Sequence, residues 1–89
     1  MKTNIIGRWY KDGEIICRQG EFGDCMYVIQ QGTVELMYRD GSKEFCLGEI
    51  EAGQFWGEDG LLEDDHLRRV TARAVGDTCV LSIERRMYE

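Results

Sequence analysis

The chain holds 89 residues, 43% of them hydrophobic and 31% charged, which confines it to a single domain over residues 1–89 and sets it apart from disordered chains. A formal net charge of −6 opposes a nucleic-acid backbone, so direct nucleic-acid binding by this chain is not expected. The N-terminus lacks the apolar run of a signal peptide and no stretch nears the roughly eighteen apolar residues of a membrane span, which makes the cytoplasm the expected location, without membrane contact.

Turn residues punctuate the chain at short intervals: Asp12-Gly13, Gly20 to Asp24, Gly32, Asp40-Gly41, Gly53, Gly57, Gly60 and Gly76-Asp77. Between them lie short runs rich in Ile, Val, Tyr, Phe, Cys and Thr with no long helical period, the pattern of an all-β sandwich, roll or barrel. Strands are expected near Trp9, at Glu14 to Arg18, Cys25 to Gln30, Thr33 to Tyr38 and Lys43 to Ile50, near Phe55, and at Arg69 to Ala74 and Thr78 to Ile83. The hairpin from Thr33 to Leu47 is the clearest, because Asp40-Gly41 supplies the positive φ angles of a two-residue turn. Val34, Leu36 and Tyr38 share one of its faces, and Phe45 and Leu47 share one across the turn. Asp59 to Glu63 is expected to form one helical turn, and Glu84 to Glu89 the opening of a helix that stops with the chain. Eleven glycines and no proline suit tight strand connections.

Four cysteines, Cys17, Cys25, Cys46 and Cys79, stand far apart without a CxxC pair and read as reduced thiols used in packing. Trp9, Tyr27, Phe45 and Phe55 read as core, whereas Trp56, directly before Gly57, is open to either a core or a ligand role. The run Glu63-Asp64-Asp65 reads as a solvated loop with the wrong spacing for calcium, and His66, the sole histidine, as a surface residue rather than a metal ligand. No metal site is expected. No Ser/His/Asp or Cys/His set stands out, and Glu58 lacks a partner acid, so the chain is not expected to be an enzyme.

The segment from Phe55 to Ala74 differs from the rest in placing two glycines, a helical turn and an arginine pair between strands. Gly57 and Gly60 let backbone N–H groups come close to a ligand, and a short helical N-terminus favours an anion. An arginine on the following strand adds charge-assisted, bidentate hydrogen bonds to a phosphate. Glu58 would repel that phosphate unless it faces a hydroxyl, so the combination suggests a sugar phosphate. Read without this context, Arg68 and Arg69 are more simply surface arginines paired with Glu63 to Asp65.

Gly57-Glu58-Asp59-Gly60-Leu61 and Arg68-Arg69-Val70-Thr71-Ala72-Arg73-Ala74 resemble the two halves of the phosphate-binding cassette of the cyclic nucleotide-binding domain family. That cassette usually reads Phe-Gly-Glu-Leu-Ala/Gly-Leu, a variable loop, then Arg-Ala/Ser-Ala-Thr-Val-Arg-Ala. Outside it, Asp12-Gly13-Glu14-Ile15-Ile16, Arg18-Gln19-Gly20-Glu21, Asp24 to Ile29 and Gly32-Thr33-Val34 fall in the family's order, so the resemblance covers about Tyr10 to Ile83. It implies an eight-stranded flattened β-roll, jelly-roll-like, with a short helical turn in the cassette and a truncated C-terminal helix.

The resemblance further implies a regulatory module whose ligand is cyclic AMP or cyclic GMP, with no other cofactor. Glu58 would hold the ribose 2′-hydroxyl and Arg68 the cyclic phosphate. Backbone N–H groups near Gly60, Leu61 and Arg69 would complete the cradle, and Val70 and Thr71 would meet the base or the far side of the phosphate. Asp59 stands where leucine is usual and Arg69 where a small residue is usual, and one deletion would make Arg69 the phosphate arginine. Implied partners are the nucleotide and a second copy or a regulated protein. The alternative is a ligand-free β-roll serving as an interaction or oligomerisation module. A fragment of a transcription regulator would need a helix-turn-helix that this sequence lacks, and whether the chain continues beyond Glu89 is left open.

Overall fold

The computed structural model describes residues 5–23, 25–57 and 67–84. Among them are six strands: β1 (Ile5–Tyr10), β2 (Ile15–Cys17), β3 (Cys25–Asp40), β4 (Lys43–Glu51), β5 (Phe55–Trp56) and β6 (Thr71–Glu84). All pairings are antiparallel, in the order β1-β6-β3-β4, with β2 also on β6 and β5 also on β3. The result is a flattened all-β body of 45 × 32 × 16 Å. The helical turn expected at Asp59 to Glu63 lies outside the described residues. So does the expected C-terminal helix, except Glu84, which ends β6.

Six strands replace the eight expected because two pairs of short strands are continuous. Cys25 to Ile29 pairs with Glu84 to Val80, Thr33 to Met37 pairs with Val75 to Thr71, and the register slips only between Ile29 and Thr33. Gly32 and Gly76 fall at the slip with φ of 94° and 72°. They bend a ladder that resumes beyond them, which is how glycine works at a bulge rather than at a chain reversal.

The core forms where β3 and β6 face each other's neighbours. Ile29, Val34, Ala72, Ala74 and Val80 are almost fully buried, together with Tyr10, Cys17 and Trp56. Val34 stands opposite Ala74 and Leu36 opposite Ala72, so in this half of the ladder a large residue of β3 meets a small one of β6. Burying one such aliphatic side chain contributes about 1.5–3 kcal/mol. Three residues expected in the core are instead exposed: Trp9 at 59%, Phe45 at 47% and Phe55 at 51%. Trp9 and Phe55 neighbour the buried Tyr10 and Trp56, and strand alternation turns them to the other face. Phe45 lies on β4, an edge strand covered only by β3.

Three turns share one design. In Lys11-Asp12-Gly13-Glu14, Arg18-Gln19-Gly20-Glu21 and Glu51-Ala52-Gly53-Gln54, the fourth residue donates its N–H to the first residue's carbonyl at 3.0, 3.1 and 2.9 Å. Its side-chain oxygen then accepts the first residue's N–H at 2.7, 2.9 and 2.7 Å. The glycines have φ of 84°, 89° and 91°, as the third position of a type II turn requires. All four cysteines are free thiols, with Cys17 and Cys79 buried, Cys25 partly buried and Cys46 exposed.

A Cβ at Gly32 would stand 2.7 Å from both the Asp77 carbonyl oxygen and Thr78 Oγ1, and 2.9 Å from Thr78 Cα. Thr78 is fully buried, its hydroxyl 3.1 Å from the carbonyl oxygens of Thr33 and Gly76, so the bend cannot give way. Gly32→Ala is expected to lower stability by about 2 kcal/mol or more, read from urea unfolding midpoints. Gly13→Ala, equally left-handed but with nothing within 4 Å of the added carbon, should cost clearly less. Equal losses would contradict the role given to Gly32.

Candidate functional site

Two local structures bring the halves of the glycine- and arginine-bearing segment together. β5 pairs Trp56 with Tyr27 and Phe55 with Val28, which sets Gly57 against the start of β3; a Cβ there would lie 3.4 Å from the Cys25 carbonyl oxygen. The Arg18–Glu21 turn clamps the segment that enters β6: Gly20 N–H donates to the Arg68 carbonyl at 2.8 Å, Arg68 N–H donates to the Glu21 carbonyl at 2.7 Å, and Phe22 bridges Leu67. With its backbone held on both sides, Arg68 directs its side chain inward.

Arg68 is only 5% exposed. Its Nη1 donates to the Cys25 carbonyl at 2.8 Å and lies 3.5 Å from that of Gly57, and its Nη2 lies 3.2 Å from Cys25 Sγ. The guanidinium carbon sits 4.8 Å from the centroid of the Tyr27 ring, which stacks on Trp56 at 4.7 Å and 23°. Glycine is needed on two sides of the group. A Cβ at Gly23 would come within 2.1 Å of Arg68 Nε, and one at Gly57, where φ is 99°, within 2.8 Å of Nη1. Among the described residues Arg68 makes no ion pair, so its charge is met there by carbonyl dipoles, a sulfur atom and an aromatic face.

The sequence-derived site residues separate into three groups. Gly57 and Arg68 meet at the buried guanidinium. Arg69 is exposed and Val70 packs against the core. Thr71 opens the outer face of β6, where its Oγ1 accepts the Gln19 N–H at 3.0 Å. Glu58, Gly60 and Leu61 lie outside the described residues, as do Asp59, Glu63 to Asp65 and His66. Sequence reasoning missed Gly23, Cys25 and Tyr27 as the residues that hold Arg68. Gly23 was legible only as part of a turn, and Tyr27 only as a core aromatic. No group of three or more side chains fit to bind a metal occurs among the described residues, and no helix among them is long and apolar enough to cross a membrane.

Burial shapes the titration of the site. Desolvation pushes the Tyr27 phenol well above its ordinary value of 10.0, and the adjacent Cys25 thiol adds to this while Arg68 pulls against it. The Cys17 thiol is likewise raised from 9.0, chiefly by burial, with Arg68 again opposing. Tyr10 is raised by burial too.

The described residues thus form an antiparallel β-roll that buries an arginine beside a left-handed glycine. The sequence matches the family profile described as the cyclic nucleotide-binding domain over residues 7–89, and the chain belongs to that family. It is 32% identical over 83 residues to a cAMP-dependent protein kinase regulatory subunit of Dictyostelium discoideum, an alignment covering 89% of this chain and 25% of that protein. Its fold superposes on the crystal structure of the Thermus thermophilus catabolite activator protein with a TM-score of 0.86 at 33% identity, over 94% of this chain and 39% of the other. The regulatory domain of Toxoplasma gondii PKA, crystallised with cAMP, gives a TM-score of 0.87 at 27% identity, over 94% and 33%. The chain thus spans between a quarter and two fifths of the length of these relatives.

Folded-state values above those of the unfolded chain mean stability that is complete below the unfolded values and is lost as pH rises through them. Urea midpoints are therefore expected to hold to about pH 9, where the Cys17 thiol of the unfolded chain ionises, and to fall further past about pH 10 as Tyr10 and Tyr27 follow. Cys17→Ala should flatten the first part of that decline. A midpoint that rises between about pH 9 and pH 11 would contradict the burial argument.

Proposed function

We propose that this chain is the ligand-sensing module of a regulatory protein, taking up cyclic AMP or cyclic GMP with the cyclic phosphate on Arg68. The observation that carries the reading is the burial of the Arg68 guanidinium beside Gly57, without an ion-pair partner among the described residues. A buried cation is costly to leave uncompensated, and a phosphate would supply bidentate, charge-assisted hydrogen bonds in place of the weaker dipoles around it. The exposed position of Arg69 favours Arg68 over its neighbour as the phosphate arginine. Kinship with a kinase regulatory domain crystallised with cAMP supports the choice of ligand class.

In this reading Glu58 accepts the ribose 2′-hydroxyl, and the N–H groups of Gly60, Leu61 and Arg69 complete the phosphate cradle. No bond is made or broken; the chemistry is recognition alone, as fits the regulatory and receptor proteins it resembles. Binding is transmitted through the segment between β5 and β6 to a partner protein or a second copy. The Arg18–Glu21 turn, which holds the Arg68 backbone, and Cys25, at the start of β3, which holds its head, anchor that transmission.

Isothermal titration with cyclic AMP and cyclic GMP tests the proposal. Saturable binding is expected, and Arg68→Ala should weaken it by roughly ten- to a hundred-fold, about 1.4–3 kcal/mol. Because Arg68 is buried, Arg68→Lys serves as the companion variant, retaining charge but losing the bidentate fork, with circular dichroism confirming that each is folded. Affinity unchanged in both folded variants would overturn the assignment.

A further inference from the structure

A second concavity lies on the outer face of the roll, where the end of β2, the β3–β4 hairpin and the start of β6 meet. It encloses about 580 Å³ and is lined by Arg18, Gln19, Arg39, Glu44, Thr71 and Arg73 among others. None of Gly23, Cys25, Tyr27, Gly57 or Arg68 lines it. The pleat of β6 explains the separation: Ala72 and Ala74 are 0% and 1% exposed and face the core, so Thr71 and Arg73, which alternate with them, face outward.

Several of the side chains that build this cavity are held in place. Gln19 hydrogen-bonds both backbone groups of Arg39, its Nε2 donating to the carbonyl at 3.0 Å and its Oε1 accepting the N–H at 2.7 Å, while its own N–H reaches Thr71 Oγ1 at 3.0 Å. One residue thereby ties the β2 end to both the hairpin and β6. Arg73 pairs with Glu35 across the ladder, and Arg39 pairs with Glu44 at 3.4 Å, with side chains 66% and 46% exposed. Among the described residues the Arg18 side chain makes no ion pair.

Three arginines thus line one hollow of a chain whose net charge is −6. Exposed ion pairs such as Arg39–Glu44 contribute little to stability, and stability alone gives no reason to gather three cations there. A guanidinium fork matches the oxygen pair of a phosphate as it does that of a carboxylate, and can exchange a solvated carboxylate for a phosphate. Ile15 and Met37 add an apolar wall, and the volume falls within the range of small-molecule sites, about 300–1,000 Å³.

We infer that this outer cavity binds a phosphorylated small molecule, its phosphate held by Arg18, Arg39 and Arg73 and its organic part laid against Ile15 and Met37. The inference does not depend on a nucleotide at Arg68. The two sites would be filled separately.

Amide NMR titration of the ¹⁵N-labelled chain with pyrophosphate and, separately, with ADP tests it, at constant ionic strength. Saturable shifts are expected at Gln19, Thr71 and Arg73 with either probe, tighter for ADP if the apolar wall takes the ring. Arg18→Gln and Arg39→Gln should each weaken them by about ten-fold or more, while in Arg39→Gln a parallel cyclic AMP titration at Arg68 is unchanged. Both arginines are exposed, and a dispersed spectrum identifies folded variants. Shifts that do not saturate, that fall only on Gly57 and Arg68, or that persist undiminished in both variants would overturn the inference. Failure of cyclic AMP alone would instead count against the Arg68 reading.

Discussion

The structure is organised around a positive charge kept away from water. A guanidinium has five N–H donors and no acceptor, and carrying it into a low-dielectric interior costs several kcal/mol unless those donors and the charge are met. Around Arg68 they are met by the Cys25 carbonyl and thiol and by the face of Tyr27, itself stacked on Trp56. Cys25 and Tyr27 come from β3, and Trp56 from β5. The position of this one side chain therefore depends on β5 staying paired with the first half of β3, and on the clamp between the Arg18–Glu21 turn and the strand entering β6.

That dependence gives the rest of the scaffold its purpose. The long β3–β6 ladder fixes where Cys25 and Tyr27 stand relative to Arg68, and the bend at Gly32 lets one pair of strands serve both ends of the roll. The repeated turn, with glycine third and Glu or Gln fourth, closes three corners by the same pair of hydrogen bonds. The corner at Arg18–Glu21 does most for the site: on one side it holds the Arg68 backbone, and on the other its Gln19 stitches the outer cavity together. Two arginine environments, one dry and one wet, thus share a single loop.

Much of this was legible in the sequence. Turn residues at short intervals point to an all-β sandwich, roll or barrel, and the expected hairpin is present with its loop moved on by one residue: Asp40 ends β3 opposite Lys43, so the two-residue turn is Gly41-Ser42, with Gly41 at φ of 64°. The resemblance through Gly57 and Arg68 points to the family that the profile match over residues 7–89 establishes. What sequence could not distinguish was a glycine that reverses the chain from one that bends a continuous strand, because Gly32 and Gly76 look the same as Gly13 until their strands find partners. It also could not tell which aromatics were buried: Trp9, Phe45 and Phe55 have core chemistry but sit on outward faces or an edge. Thr71 looked like a ligand contact from its place in the cassette, and the pleat of β6 turns it to the outer surface. The partners of Arg68 lie 43 residues away in sequence at Cys25, a separation no local pattern encodes.

The central claim is that the buried Arg68 guanidinium is the counter-charge for a cyclic phosphate. A crystal structure of the chain grown with cyclic AMP tests it most directly. The account predicts the phosphorus atom within about 4 Å of the Arg68 guanidinium carbon, as a bidentate contact requires, between Gly57 and the strand entering β6. Nucleotide seated on Arg69, or found only in the outer cavity while Arg68 keeps its bonds to Cys25, would contradict it.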